Sequence, residues 1–336
     1  MDSNAGLTEY GYRWTFGEKN MIYIDDESIE SQFFLLQQPR IRSKSRPKVK
    51  PSRLESLPLE ILQQILLSVN PGVTTSLRLL SSRLADSVDG LFPLQQLLSF
   101  APQLLLALAK THFIRRYSIA RLYATLRSDR CEYCDNYAPY VYLLRCERVC
   151  YRCLRYDQRT SSTFPATAKK LFGITSSNAK LLPKLSVVPG KYASGKDHWI
   201  TTVDYKLPLV SVQSAYELAD QPKEKEKDVQ DFVKNHQNGK PLRDHKRFMC
   251  YASVAVPYLD SLKPVQSNTV QHGIWCRGCE FEYERHRFDL IEGYFDRLER
   301  AFSKDEFIEH CKGCFGIKEL KRGAHEREHH LLLWRG

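Results

Sequence analysis

Apolar residues recur at helical spacing early in the chain: between Leu54 and Val69, the residues Ile61, Leu62, Ile65, Leu66 and Val69 follow a helical period. Pro58 suits a first helical turn, Glu60 complements the positive end of the helix dipole, and Asn70-Pro71-Gly72 stops the helix. Two further short runs, Leu77 to Leu80 and Leu84 to Val88, predict two more small helices and so a compact three-helix set. The most apolar stretch, Leu91 to Ala109, contains Pro93, Gln95, Gln96, Ser99, Pro102 and Gln103, which is too interrupted for a membrane span and predicts a buried helix. Farther along the pattern changes. Tyr140 to Leu144 and Trp199 to Val203 have the composition of short strands, and Phe281 to Phe302 reads as a charged, aromatic helical stretch. Ser303 with Glu306 three residues on forms a capping box that opens another helix.

Composition adds cores to this picture and confines the charge. The 336 residues are 42% apolar and 11% aromatic, enough for two or three small domains. Seven Lys or Arg and no acid lie between Arg40 and Arg53, and removing them from the net charge of +11 leaves +4 for the rest. A run of that kind with two prolines cannot bury itself; it predicts a solvated linker, with a nuclear-localisation or polyanion-binding patch as the functional alternative. Pro222 to Asp228 is expected to face solvent. The opening residues show no basic segment followed by an apolar core, so an intracellular protein, nuclear or cytoplasmic, is expected, with no membrane contact. The aromatic islands Tyr10 to Trp14 and Met21 to Ile24 either bind a partner or pack back on the body.

The cysteines carry the chemistry. Eight of the ten fall into four C-x-x-C pairs, where random placement would give roughly 0.3, so the spacing is selected for metal rather than for disulfides. Two residues between cysteines make a tight turn that aims both thiolates at one ion, and two such turns complete a tetrahedral site suited to zinc. Cys131, Cys134, Cys150 and Cys153 have the spacing of a zinc-ribbon or treble-clef module. Cys146 can replace Cys150 there, but a spare cysteine is more often a small buried hydrophobe. The second site begins with Cys276 and Cys279 and closes with Cys314 and either His310 or Cys311: His310 lies one helical turn from Cys314, whereas the pair spacing favours Cys311. Two structural zinc ions are therefore expected. Four protein ligands leave no open coordination position, so neither site predicts a catalytic metal.

One enzymatic pattern occurs, His325-Glu-Arg-Glu-His329, which matches H-E-x-x-H. Its surroundings are charged and only seven residues follow, so it reads as a polar helix end, and no enzyme is expected.

The string LPLEILQQILL followed by SLRLLSSRLADSV resembles the F-box, which docks on the Skp-type adaptor of cullin–RING ubiquitin ligases. On that resemblance Leu57, Pro58, Glu60, Ile61, Leu62, Ile65 and Leu66 form the adaptor-facing surface. The C-x-x-C at 131, CERVCYRC, PGKY at 189–192 and GIWCRGCEF at 273–281 resemble F-box proteins of fungal type with cysteine-rich tails. Those relatives close the second cluster with a His-Phe-x-x-Cys string, which maps onto His310 and Cys314, with Cys311 in place of the aromatic. Together these readings predict a mainly α chain with small α+β zinc modules: a disordered tail and basic linker over 1–53, a three-helix F-box over 54–92, a helical connection and first zinc module over 93–160, a mixed α/β middle over 161–270, and a second zinc module with a C-terminal helix over 271–336. The function implied by the resemblance is that of an SCF-type ligase receptor, a ubiquitin-pathway adaptor that holds a protein substrate through its C-terminal region. The alternative is a zinc-ribbon nucleic-acid-binding or regulatory protein; against it, Arg145, Arg148, Arg152 and Arg155 are not focused on a recognition helix.

Overall fold

The computed structural model of the protein describes residues 9–12, 52–193, 200–219, 251–260, 270–286 and 292–323. The basic run up to Pro51, the charged stretch 222–228, Cys250 and the His325–His329 pattern lie outside those residues. The described residues are mainly helical with several small sheets.

Three short helices open the fold: α1 (Leu59–Ser68), α2 (Pro71–Arg78) and α3 (Ser82–Asp89). Asn70 both ends one helix and starts the next, because its side chain accepts from the Val73 N–H at 3.0 Å and Pro71 supplies a first-turn residue that needs no donor. The second helix therefore begins before the apolar run expected to form it, and Leu79 and Leu80 fall just past its end. Ser81 caps α3 and also donates to Glu55, which ties the incoming chain to that helix start. Arg78 grips Asp89 with two hydrogen bonds, at 2.6 and 3.3 Å, and joins α2 to α3. Leu62 and Leu66, one turn apart, are wholly buried and join Leu84 and Val88 in the core.

The apolar stretch that follows is not one helix. Pro102 ends the first, and α4 (Phe92–Phe100) meets α5 (Pro102–Lys110) at 87°. Leu104 to Leu108 are buried all round α5, the mark of a central core helix. Among the described residues no single helix is long and apolar enough to cross a membrane. Next come α6 (Ile119–Leu126), the hairpin β2 (Tyr140–Tyr142) and β3 (Glu147–Val149), and α7 (Tyr151–Tyr156).

The middle of the chain contributes β4 (Ser162–Thr163), α8 (Pro165–Phe172), β5 (Leu185–Ser186), β6 (Gly190–Ala193), β7 (Ile200–Val203), β8 (Pro208–Ser211), α9 (Val212–Glu217), β9 (Ser253–Ala255), β10 (Tyr258–Leu259) and β11 (Val270–Gln271). Here β9 returns to the β2–β3 hairpin, giving the order β3-β2-β9 with Val141 opposite both Arg148 and Val254. One buried cluster consequently runs from Leu62 to Leu259, across the boundaries expected at 92/93 and 160/161.

Arg148 fixes this junction. Its guanidinium is buried and donates to the carbonyls of Thr125, Ala138, Val256 and Pro257, from α6, the loop before β2 and the two residues after β9. Burial pulls its pKa down to about 10, which still leaves the group protonated at neutral pH.

The chain closes with β12 (Trp275–Cys276), α10 (Arg277–Arg285), α11 (Glu292–Glu299), α12 (Lys304–Gly313) and a helix over 315–323. The expected helix from Phe281 to Phe302 is thus two helices, α10 and α11, with residues 287–291 outside the description. The tail expected to be disordered contributes β1 (Gly11–Tyr12), which pairs antiparallel with β12, so at least these N-terminal aromatics pack back on the body.

Candidate metal centres

The first site starts at a tight loop closed by an antiparallel bridge between Arg130 and Tyr137. Inside it the Cys131 N–H bonds the Asn136 carbonyl at 2.8 Å, and the Asp135 N–H bonds the Cys131 carbonyl at 3.1 Å. Asp135 takes φ 59°, a left-handed conformation that Asp tolerates better than most residues. The hairpin then delivers Cys150, the N-cap of α7, whose sulfur accepts from the Cys153 N–H at 3.4 Å. The four sulfurs of Cys131, Cys134, Cys150 and Cys153 lie within 4.8 Å of one another, and only Cys134 is exposed.

The second site is built from helix ends. Cys276 caps α10 and Cys279 lies one turn in; His310 comes from the last turn of α12, and Cys314 is its C-cap. The expected capping box is formed at the other end of α12, with Ser303 accepting from the Glu306 N–H and Glu306 from the Ser303 N–H. Cys276, Cys279, His310 and Cys314 bring their ligand atoms within 4.8 Å of one another. His310 Nε2 is 3.3 Å from Cys279 Sγ, and its ring stacks on Phe302 with centroids 4.5 Å apart. Cys311 does not enter this set. Its neighbour His310 turns toward the cluster, while Cys311 is buried in the adjoining core, where desolvation pushes its thiol up to about 11. Between His310 and Cys311, the structure brings His310 to the site.

Hydrogen bonds from Cys150 and Cys153 pull the Cys131 thiol down to about 2, and the same bonds to Cys131 hold the Cys153 proton on. In the second cluster Cys314 is lowered by Cys276 and Cys279, while Cys279 is raised by bonding to Cys276 and Cys314. A divalent ion would favour the thiolate form of these cysteines and so their ligation.

Two glycines make the second site sterically feasible. A Cβ on Gly278 would lie 2.5 Å from the Ile317 nitrogen and 2.9 Å from Cys314 Sγ, and a Cβ on Gly316 would lie 2.0 Å from the Gly278 carbonyl oxygen. A cleft of about 530 Å³ opens beside this site, lined by Cys279 and His310 together with Arg300, Phe302 and the exposed Phe315.

Other residues escaped the sequence reading. Asn136 donates to Cys134 Sγ at 3.2 Å, a contact foreshadowed only by a turn-forming Asp-Asn pair after the second cysteine. Cys146 is wholly buried at φ 52° against the Thr125 hydroxyl, outside the metal set, as its reading as a spare cysteine anticipated.

The residues expected to face an adaptor divide in two. Pro58, Glu60 and Ile61 are exposed and Leu57 and Ile65 half-buried, but Leu62 and Leu66 point into the core and cannot meet a partner while the helices stay folded. Large apolar side chains are nevertheless left outside. Of the ten that are exposed among the described residues, five are Leu59, Ile61, Val73, Leu79 and Leu80, the last two 62% and 70% exposed.

No protein family, curated protein or solved structure matches this chain.

Proposed function

We propose that the chain is a non-catalytic adaptor: an F-box-type substrate receptor that docks through α1–α3 on a Skp-type subunit of a cullin–RING ubiquitin ligase and presents a protein substrate with its metal-organised C-terminal region. The observation that carries this reading is the concentration of exposed apolar side chains at Leu59, Ile61, Val73, Leu79 and Leu80. Apolar groups left in water by a well-packed helical unit favour a protein partner. The cleft beside the second metal site, with Phe315 at its edge, is the substrate surface we favour.

Zinc is the ion proposed for both sites. A tetrahedral zinc about 2.3 Å from each thiolate sets sulfur–sulfur edges of about 3.8 Å. The observed Cys134–Cys150 and Cys276–Cys314 separations are 3.5 and 3.8 Å. The nucleic-acid alternative draws little from the arginines near the first site. Arg145 pairs with Glu147 and Glu217, Arg148 is buried on carbonyls, Arg152 faces Asp296 and Arg155 bonds Tyr151.

The test is capture of a purified Skp-type adaptor by the full chain. Leu57→Ala with Pro58→Ala, and separately Leu79→Ser with Leu80→Ser, should abolish capture while zinc content stays at two per chain. Undiminished capture by both variants would sink the docking surface, and salt-sensitive binding to a DNA duplex by the intact chain would favour the alternative.

A further inference from the structure

Between the two metal centres runs an unbroken series of contacts that neither site needs for its own coordination. At the first site the exposed ligand Cys134 accepts from the Asn136 amide nitrogen at 3.2 Å. The amide oxygen of the same residue accepts from Arg300 at 3.3 Å. Arg300 lies over the Phe302 ring at 4.8 Å, and Phe302 stacks on the ligand His310, 4.5 Å between centroids and 21° between planes. A second strut runs alongside. Arg130, the residue before Cys131, pairs with Glu306, the capping-box acid of the helix that carries His310. Tyr137, Trp275 and Ala301 fill the space between the modules with a small buried cluster.

The polarity of the Asn136 amide gives this series a direction. Turned over, it would set its oxygen against the Cys134 sulfur and its N–H groups against the Arg300 guanidinium, two repulsive contacts in place of two attractive ones. A metal held at the first site would fix the position of the Cys134 sulfur, and through their contacts that of the Asn136 amide, Arg300 and the stack on which His310 rests. We infer that the two metal centres are thermodynamically coupled through Asn136 and Arg300, so that loading the first tightens the second. By linkage the second must tighten the first by the same factor. Asn136 and Arg300 are positioning residues here; neither is a ligand. The inference rests on both clusters holding metal and is independent of the adaptor-docking surface.

Cobalt(II) as the probe tests it, because a four-thiolate site and a three-thiolate, one-imidazole site absorb differently in the visible range and can be followed separately in the full metal-free chain. With Cys131→Ser and Cys134→Ser, affinity at the second site should fall by about 5-fold or more, within the range usual for coupled sites. His310→Ala should weaken the first site by a comparable factor. Asn136→Ala and Arg300→Ala keep every ligand, and each should still bind two cobalt ions, now as independent events in place of one cooperative uptake. If the cysteine variant does not fold, these two variants decide the matter. Unchanged cooperativity in both, or independent loading in the unmodified chain, overturns the coupling and leaves the metal sites standing. Binding of no cobalt at all overturns both.

Discussion

The helical opening of the chain and its second cysteine cluster are built on opposite kinds of core. Leu62, Leu66, Leu84 and Val88 belong to a large leucine-rich core that needs no ion, and the helices around it still leave apolar side chains outside. Among the described residues the second cluster buries Cys276, Cys279, Cys311 and Cys314 with Phe302, Phe307 and Ile317, so four of its seven buried residues are cysteines, and three of those belong to the group that could hold a metal ion. Apolar area supports the first region, whereas the second has little of it and, if it holds zinc as proposed, would gain its support from coordination. The first candidate site stands between them, because Cys131, Cys150 and Cys153 are embedded in the leucine-rich core itself while Cys134 is exposed.

Chelation should therefore break the molecule unevenly, and this is the largest effect expected. A structural zinc contributes about 10–16 kcal/mol of apparent folding free energy, comparable to the net stability of a whole domain. With zinc bound as proposed, its removal should cost hydrogen-exchange protection over 270–286 and 292–323 first, with α4 and α5 retaining theirs. Simultaneous loss across the whole chain would show that the two regions are one cooperative unit. Gly278→Ala should come next. A methyl 2.9 Å from Cys314 Sγ and 2.5 Å from the Ile317 nitrogen pushes a ligand away, so the variant should retain one zinc in place of two by atomic absorption.

What could be read ahead of the structure was local. The C-x-x-C turns, the Ser303–Glu306 capping box and the Asn70-Pro71 stop each depend on residues within one turn of each other, and short-range sterics and hydrogen bonding specify them. The Leu91–Ala109 stretch reads as one buried helix but forms two, because Pro102, one of the interruptions visible in the sequence, imposes a corner that the apolar pattern alone does not place. The union of β9 with β2, the bonds from Arg148 to the Val256 and Pro257 carbonyls and the Asn136–Arg300 contact link positions about a hundred residues or more apart, and no periodicity encodes such pairings. Leu62 and Leu66 show the remaining limit. A docking motif and a core stripe share one helix and one spacing, and only the packing tells which leucine faces which way.

Arg148→Met sharpens the comparison from the side of the large core. It deprives the carbonyls of Thr125, Ala138, Val256 and Pro257 of a donor, and each buried group left unsatisfied costs about 1–3 kcal/mol. The midpoint of urea unfolding should fall markedly while both metals stay bound, since no ligand is touched. Loss of the first metal would instead place Arg148 among the residues that organise that site.

The smallest expected effect discriminates best. Leu62→Ala should destabilise by about 2–5 kcal/mol, the usual cost of a cavity in a tight core. Leu80→Ser, at a side chain 70% exposed, should change stability by no more than about 0.5 kcal/mol. If α1–α3 form a docking unit, the rank order reverses when capture of the Skp-type adaptor is measured per folded molecule. Leu80→Ser should then weaken it, while the folded fraction of Leu62→Ala binds as before. A Leu80→Ser chain that is equally stable and equally able to bind would mean that Leu80 is simply tolerated in water, and that the apolar surplus of these helices has no partner at that position.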